Sequence, residues 1–177
     1  MAANERNESV EQRQAPLRET YQQNLDQAMI QESASNSGAN LTDPYHGSVQ
    51  FGDGSSFEYG IHQAVSGHGD KPTPEQLFCA ALAACQEASI RMVANILGVE
   101  LTELKVMVTA SVDVRGTLLV EKSVPVGFQS MECQVQLKAA DGTEAALLDK
   151  LMSEAERSCI VLQTLRDGID VKLSATN

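Results

Sequence analysis

The stretch from Pro74 to Gly98 constrains this chain more than any other, because it reads as one long helix with a waist of small residues. Phe78, Ala81, Leu82, Cys85, Ser89, Met92, Val93 and Ile96 fall within about 60° of one direction at 100° per residue, which predicts a buried stripe. Pro74 suits a first helical turn, where a missing N–H costs nothing, and Gly98 suits the left-handed residue that ends a helix. Roughly 25 residues at 1.5 Å each make a rod of ~37 Å. That is long for a chain of 177 residues. The run from Cys79 to Cys85, rich in alanine, lets a neighbouring element approach closely. Such a helix belongs at the core of a domain or of a dimer.

What surrounds it is mixed. Gly47 to Gly60 predicts a hairpin, with Val49 and Phe51 on one side of Gly52-Asp53-Gly54 and Phe57 and Tyr59 on the other. Ser33 to Asp43 reads as a loop, and Ser66 to Thr73 as a connection into the helix. After Gly98 the period switches to two: Leu104, Val106, Val108, Ala110, Val112 and Val114 alternate with polar residues. Met131, Cys133, Val135 and Leu137 do the same, so each run predicts a half-buried strand. Gly116 to Phe128 between them is a turn or an irregular edge. A second helix is expected from about Thr143 to Ser158, capped by Thr143, with Leu147, Leu148, Leu151, Met152 and Ala155 buried. A short helical stretch ending near Gly168 and a last strand (Ile169, Val171, Leu173) complete the chain. At the other end, Val10, Leu17, Tyr21, Leu25 and Ala28 recur at helical steps, and Pro16 is expected to divide that segment. The organisation expected is a helical arm over 1–32 and a main domain over 33–177. Helices and strands mix without regular βαβ alternation, which makes the class α+β.

Charge and motifs narrow the function. The net charge of -11, with 13 basic residues scattered among 24 acids, argues against nucleic acid and anionic membrane surfaces as partners. No apolar run approaches the ~20 residues that cross a bilayer, and Met1 to Gln14 lacks the apolar stretch of a signal peptide. The expected setting is therefore cytoplasmic. Nucleotide loops and the serine-hydrolase elbow are absent. His46, His62 and His68 form no i, i+3 or i+4 pair, so no metal site is expected. His62 and His68 flank the loop that feeds the long helix; they either line a site mouth or serve as turn residues.

Four cysteines remain: Cys79, Cys85, Cys133 and Cys159. They form no CxxC pair. Cys79 and Cys85 lie about 120° apart around the helix, so an intact helix cannot join them. Cys133 alternates with Met131 and Val135 as a strand core residue. Cys85 is either a small core residue or a nucleophile activated from elsewhere, since no Lys, Arg or His lies one turn away on its face. For Cys159 the alternatives depend on the backbone. With a break at Ser158 the exposed N–H groups favour a thiolate, whereas a continuous helix makes it the next core position after Ala155.

Two stretches carry a resemblance to a known family. Gly69-Asp-Lys-Pro-Thr-Pro-Glu-Gln-Leu-Phe-Cys-Ala-Ala-Leu-Ala-Ala-Cys85 resembles the signature of the OsmC/Ohr proteins (osmotically inducible protein C and organic hydroperoxide resistance). Ala155-Glu-Arg-Ser-Cys159-Ile-Val resembles that family's second-cysteine motif, and the likeness extends over roughly Gly47 to Leu173. Val124-Pro-Val-Gly-Phe128 and Gln163-Thr-Leu165 suggest an OsmC-like branch carrying an N-terminal helical arm. The resemblance implies an intertwined α+β homodimer, with long central helices flanked by antiparallel-rich sheets. It also implies a two-cysteine thiol peroxidase for oxidative-stress defence that reduces organic hydroperoxides to alcohols. Cys85 would be the peroxidatic thiol and Cys159 the resolving one, with an external dithiol as reductant and neither metal nor organic cofactor. Glu75 matches the family's orienting glutamate, although on one straight helix ~15 Å separates it from Cys85, so it needs a helix break or the partner chain. The family's arginine comes from the N-terminal part of the chain; none lies between Gly38 and Asp70, and Arg18 is the candidate. Gln86 stands where an aromatic is common and Ile160 where many members have proline. These departures motivate the alternative expectation, a catalytically weak OsmC-like protein that binds a hydrophobic or thiol ligand. A Cys/His hydrolase or transferase rests only on a cysteine with histidines nearby.

Overall fold

Helix α2 (Pro74–Leu97) begins where its local chemistry directs. The Gln76 N–H donates to the Thr73 hydroxyl at 3.3 Å, while the Thr73 N–H donates to Gln76 Oε1 at 2.9 Å. This reciprocal cap satisfies two donors that a helix start otherwise leaves orphaned. At the far end Gly98 takes φ +67, and the Val99 N–H reaches back to the Ala94 carbonyl at 2.8 Å.

The computed structural model describes residues 9–36 and 40–175. The chain divides into two compact units, one of Met1–Ala15, Ala81–Met107 and Cys133–Asn177, the other of Pro16–Ala80 and Val108–Glu132. In the first unit Ile90 and Ala94 of α2 share a core with Val99 and with Leu151 and Ala155 of α4 (Ala145–Ser158). Leu104 and Val106 of β4 (Leu101–Ser111) and Val135 of β5 (Ser130–Ala139) pack against that core. The N–H of Ala140 bonds to the Glu100 carbonyl and that of Gln129 to the Ser111 carbonyl, closing β4 and β5 as an antiparallel pair. Helix α5 (Ile160–Asp167) follows α4 directly.

The second unit contains the antiparallel sheet β1 (Ala34–Ser35), β2 (His46–Phe51) and β3 (Ser56–Gly60), in that order. Its hairpin turns as the Asp-Gly pair predicts: Gly54 has φ +87, and the Asp53 carboxylate accepts from the N–H and hydroxyl of Ser55. Across the register Gly47 faces Tyr59, where an added Cβ would lie 2.3 Å from the phenol oxygen. Only glycine lets that ring lie across β2. The unit also holds α3 (Val114–Thr117), whose N-terminus is capped by the Asp113 carboxylate.

Helix, hairpin and strand assignments agree broadly with the expected α+β order, but five details differ. First, the buried face of α2 is Leu82, Gln86, Ser89, Ile90 and Ala94, rotated by roughly 80° from the predicted stripe. Phe78, Met92 and Ile96 stay 43%, 42% and 36% exposed. The helix is apolar on more than one side, and periodicity cannot say which side the single chain covers. By length and composition α2 also suffices to cross a membrane, yet its Leu82 and Ile90 are buried against protein.

Second, α1 (Val10–Gln23) runs unbroken through Pro16. No residue of α1 is buried, so water can meet the carbonyl that proline leaves unpaired. The part of the expected arm before Ser9 lies outside the described residues. Third, Glu144 rather than Thr143 occupies the cap position of α4, because the Thr143 hydroxyl donates instead to the Ala140 carbonyl at 2.7 Å. Fourth, the loop expected over Ser33 to Asp43 contains β1, and the strand expected to reach Val114 ends at Ser111. Fifth, Ile169, Val171 and Leu173 form no strand and are 75%, 85% and 98% exposed. Alternation alone does not make a strand; a neighbouring backbone must pair with it, and among the described residues no strand does.

Candidate active site

The sequence left Cys85 and Cys159 each with two readings, and the fold of the first unit decides part of both. Cys85 is half-buried in the middle of α2. Cys159 is fully buried, with φ -77 and ψ 102, at a break that ends α4 at Ser158 and starts α5 at Ile160. The two thiols are free, and Cys85 is close enough to Cys159 to act on its pKa. The helix break is therefore real, but it does not leave Cys159 ionised. Burial pushes its thiol up to about 11; the Leu162 N–H pulls the other way, without the geometry of a capping bond, and the neighbouring Cys85 adds to the rise. At neutral pH Cys159 is an S–H group.

Cys133 sits on the half-buried face of β5, and burial raises its thiol as well. It is close enough to Cys159 to act on it electrostatically. The sequence reading of Cys133 as a strand core residue holds for its burial and misses this neighbour. No spacing along the chain relates β5 to the α4–α5 junction.

The remaining expected site residues, Glu75 and Arg18, belong to the second unit. Arg18 lies on the exposed helix α1. Glu75 lines a cavity of about 550 Å³, together with His62, Gln76, Cys79, Val112 and Phe128. Glu75 and Cys79 are one helical turn apart, and the Phe78 and Phe128 rings pack 5.7 Å apart. His62 lines this cavity and also caps the turn Gln63–Val65, its Nδ1 accepting from the Ala64 N–H at 3.0 Å, so it serves as a turn residue as well. Because α2 is unbroken from Pro74 to Leu97, ~15 Å of helix separates Glu75 from Cys85 within one chain.

The second unit also contains a cluster that the sequence reading passed over. His46 Nδ1 lies 2.8 Å from Asp43, and its Nε2 lies 3.0 Å from Asp70. The His68 ring stacks on it at 5.4 Å, and Tyr45 meets His68 edge-on at 5.1 Å. A neutral imidazole donates from one nitrogen only, so two carboxylate partners favour the imidazolium. The Asp43 bond and then the Asp70 bond hold the His46 pKa above its usual value. The signal available in sequence was the Asp43-x-x-His46 spacing; Asp70 carries no such mark. Among the described residues, no group of three or more His, Cys, Asp or Glu is arranged to hold a metal ion.

A family model described as OsmC-like protein matches residues 67–174. No curated protein matches the chain. Among solved structures it is similar to an OsmC-like protein of unknown function from Vibrio cholerae, with TM-score 0.61, 13% identity and coverage of 77% of this chain and 94% of that one. It is also similar to an organic hydroperoxide resistance protein, OsmC, from Legionella pneumophila, with TM-score 0.52, 25% identity and coverage of 81% and 95%. A third, a Vibrio cholerae protein named for organic hydroperoxide resistance and solved with captopril in one of its active sites, gives TM-score 0.51, 26% identity and coverage of 80% and 88%.

Proposed function

The chain belongs to the OsmC-like protein family, and from that premise we propose that it reduces organic hydroperoxides with Cys85 as the peroxidatic thiol and Cys159 as the resolving thiol. Relatives named for organic hydroperoxide resistance support a role in peroxide stress. The observation that carries the finer reading is the pairing of Cys85 with Cys159 inside one compact unit, at a helix break.

Cys85 thiolate attacks the distal peroxide oxygen, the O–O bond breaks, and the alkoxide leaves to become an alcohol. The product is a sulfenic acid on Cys85. Cys159 then loses its proton and attacks the Cys85 sulfur, water departs, and a disulfide forms that an external dithiol reduces. Holding Cys159 as a thiol until that step keeps it from competing for the peroxide. Glu75 acts as the orienting carboxylate, with Arg18 as the candidate cation. With α2 unbroken, Glu75 would serve the Cys85 of a second copy, and the exposed Phe78, Met92 and Ile96 support a homodimer built on this helix. The largely apolar cavity beside Glu75 favours alkyl over hydrogen peroxide.

The test is direct. Reduced protein is treated with a slight excess of cumene hydroperoxide and its disulfides are mapped by mass spectrometry. A Cys85–Cys159 bridge within seconds, absent in Cys85→Ser, is expected; unchanged free thiols would sink the reading. The same cavity, and the captopril seated in the Vibrio cholerae relative, favour as second reading a binding protein for hydrophobic or thiol ligands. In that case captopril raises Tm while the peroxide leaves every thiol free.

A further inference from the structure

We propose that His46 is a positioning residue for Glu75: its charged ring holds Asp70, Asp70 fixes the connection 66–72 that leads into α2, and loss of the ring's proton lets that connection, and with it Glu75, shift. That Glu75 serves the reaction rests on the peroxidase reading; the link from His46 to the cavity does not.

The connection is strapped to the β2–β3 hairpin at three points. The Gly60 N–H donates to the Pro72 carbonyl at 2.9 Å, Lys71 pairs with Glu58 at 2.6 Å, and His46 Nε2 lies 3.0 Å from Asp70. The backbones run so close that a Cβ added at Gly67 would lie 1.8 Å from the Ile61 carbonyl oxygen. Both ends of this connection line the Glu75 cavity: His62, Ala64 and Val65 before it, Thr73, Glu75 and Gln76 after it. Thr73 carries the link into the helix, since its hydroxyl accepts from the Gln76 N–H and its carbonyl from the Leu77 N–H at 3.0 Å. A shift of the strap therefore changes the spacing of the two walls and the bearing of Glu75 between them.

Only one of the three points titrates near neutrality. A backbone bond does not ionise, and lysine and glutamate both stay charged from about pH 6 to 9. Histidine changes charge there. The titratable groups around the ring are Asp43 and Tyr45 at the entry to β2, His68, Asp70 and Lys71 in the connection, and Glu58 and Tyr59 on β3. Three carboxylates against one ammonium favour the imidazolium, and the two nearest hold its proton above the ordinary 6.5. Once that proton leaves, the ring donates to one carboxylate only. Asp43 is the nearer, at 2.8 Å against 3.0 Å for Asp70. The Nε2 lone pair is then set against the Asp70 carboxylate, and the strap loses that point. An exposed pair of this kind contributes little, so the connection shifts in population rather than detaching, by a factor of roughly two to five.

Two arms test the proposal. The first reads hydrogen exchange at the Gln76 and Leu77 amides, as protection over the intrinsic rate, from pH 5.5 to 8.5. Wild-type protection is expected to fall by roughly two- to fivefold across that range. His46→Gln and Asp70→Asn are each expected to show the low value throughout, and the double variant to add nothing. The second arm follows kcat/KM for cumene hydroperoxide. The ratio of wild type to His46→Gln is expected to fall from roughly two to five at pH 5.5 to about one at pH 8.5. A merely structural role would give the same ratio at every pH. Protection that ignores both pH and the two substitutions overturns the proposal and leaves the peroxidase reading intact, and so does a flat activity ratio. Protection that follows His46 in protein that consumes no hydroperoxide overturns the peroxidase reading and keeps His46 as the pin of the cavity.

Discussion

At the scale of single residues, Cys159 shows how two effects that the sequence suggests separately are weighed in the fold. The helix break brings the Leu162 N–H to bear on its sulfur, yet burial wins, and its thiol is pushed up from 9.0 to about 11. The folded value lies above the unfolded one, so the contribution to stability is complete below about pH 9. It is lost as pH rises towards 11, because the unfolded chain ionises first. A rise of that size corresponds to roughly 2–3 kcal/mol. Urea denaturation of the reduced protein from pH 8 to 11 should show wild type losing about that much more stability than Cys159→Ala. Equal losses would refute it. The break itself was legible, as one of two alternatives, in the Ser158-Cys159 context. The burial was not, because α2, β5 and α4 come from distant parts of the chain.

At the scale of elements, the His46 contacts tie the start of β2 to the connection that leads into α2. Asp43 and Asp70 both favour the charged ring, and both carboxyls titrate lower in return, Asp43 chiefly through the Tyr45 N–H and Asp70 chiefly through His46. His68, Lys71 and Glu58 also surround the ring: His68 stacks on it, and Lys71 and Glu58 pair beside it. With the folded pKa above 6.5, the stabilisation is full below that value and fades as pH rises through the folded pKa. His46→Ala should therefore lower Tm more at pH 5.5 than at pH 8.5, and a uniform effect at both would rule the tie out. The elements most legible in sequence were those with local signals: the Thr73-Pro74 start and Gly98 end of α2, and the Asp53-Gly54 hairpin. The least legible were decided by partners. Which side of α2 is buried, whether Ala34 and Ser35 pair with β2, and whether Ile169 to Leu173 find a strand all depend on backbone brought from elsewhere. The resemblance is what brings Cys85 and Cys159 together as the proposed pair; the neighbours of Cys133 and His46 carry no mark in the sequence, because the fold alone sets them.

At the scale of the whole molecule, the single chain leaves apolar surface that a core helix does not normally show. Phe78, Met92 and Ile96 line one side of α2, and a second copy is the proposed cover. Sedimentation velocity should then give twice the 19.0 kDa of one chain. Met92→Glu is expected to shift the population towards monomer with the far-UV spectrum unchanged, whereas a monomeric wild type would exclude the dimer. With a second copy as the proposed cover of α2, foldedness would become partly a matter of concentration. Dilution would then act as a mild denaturant, and a cell making little of this protein would hold it in a less durable form than one making much.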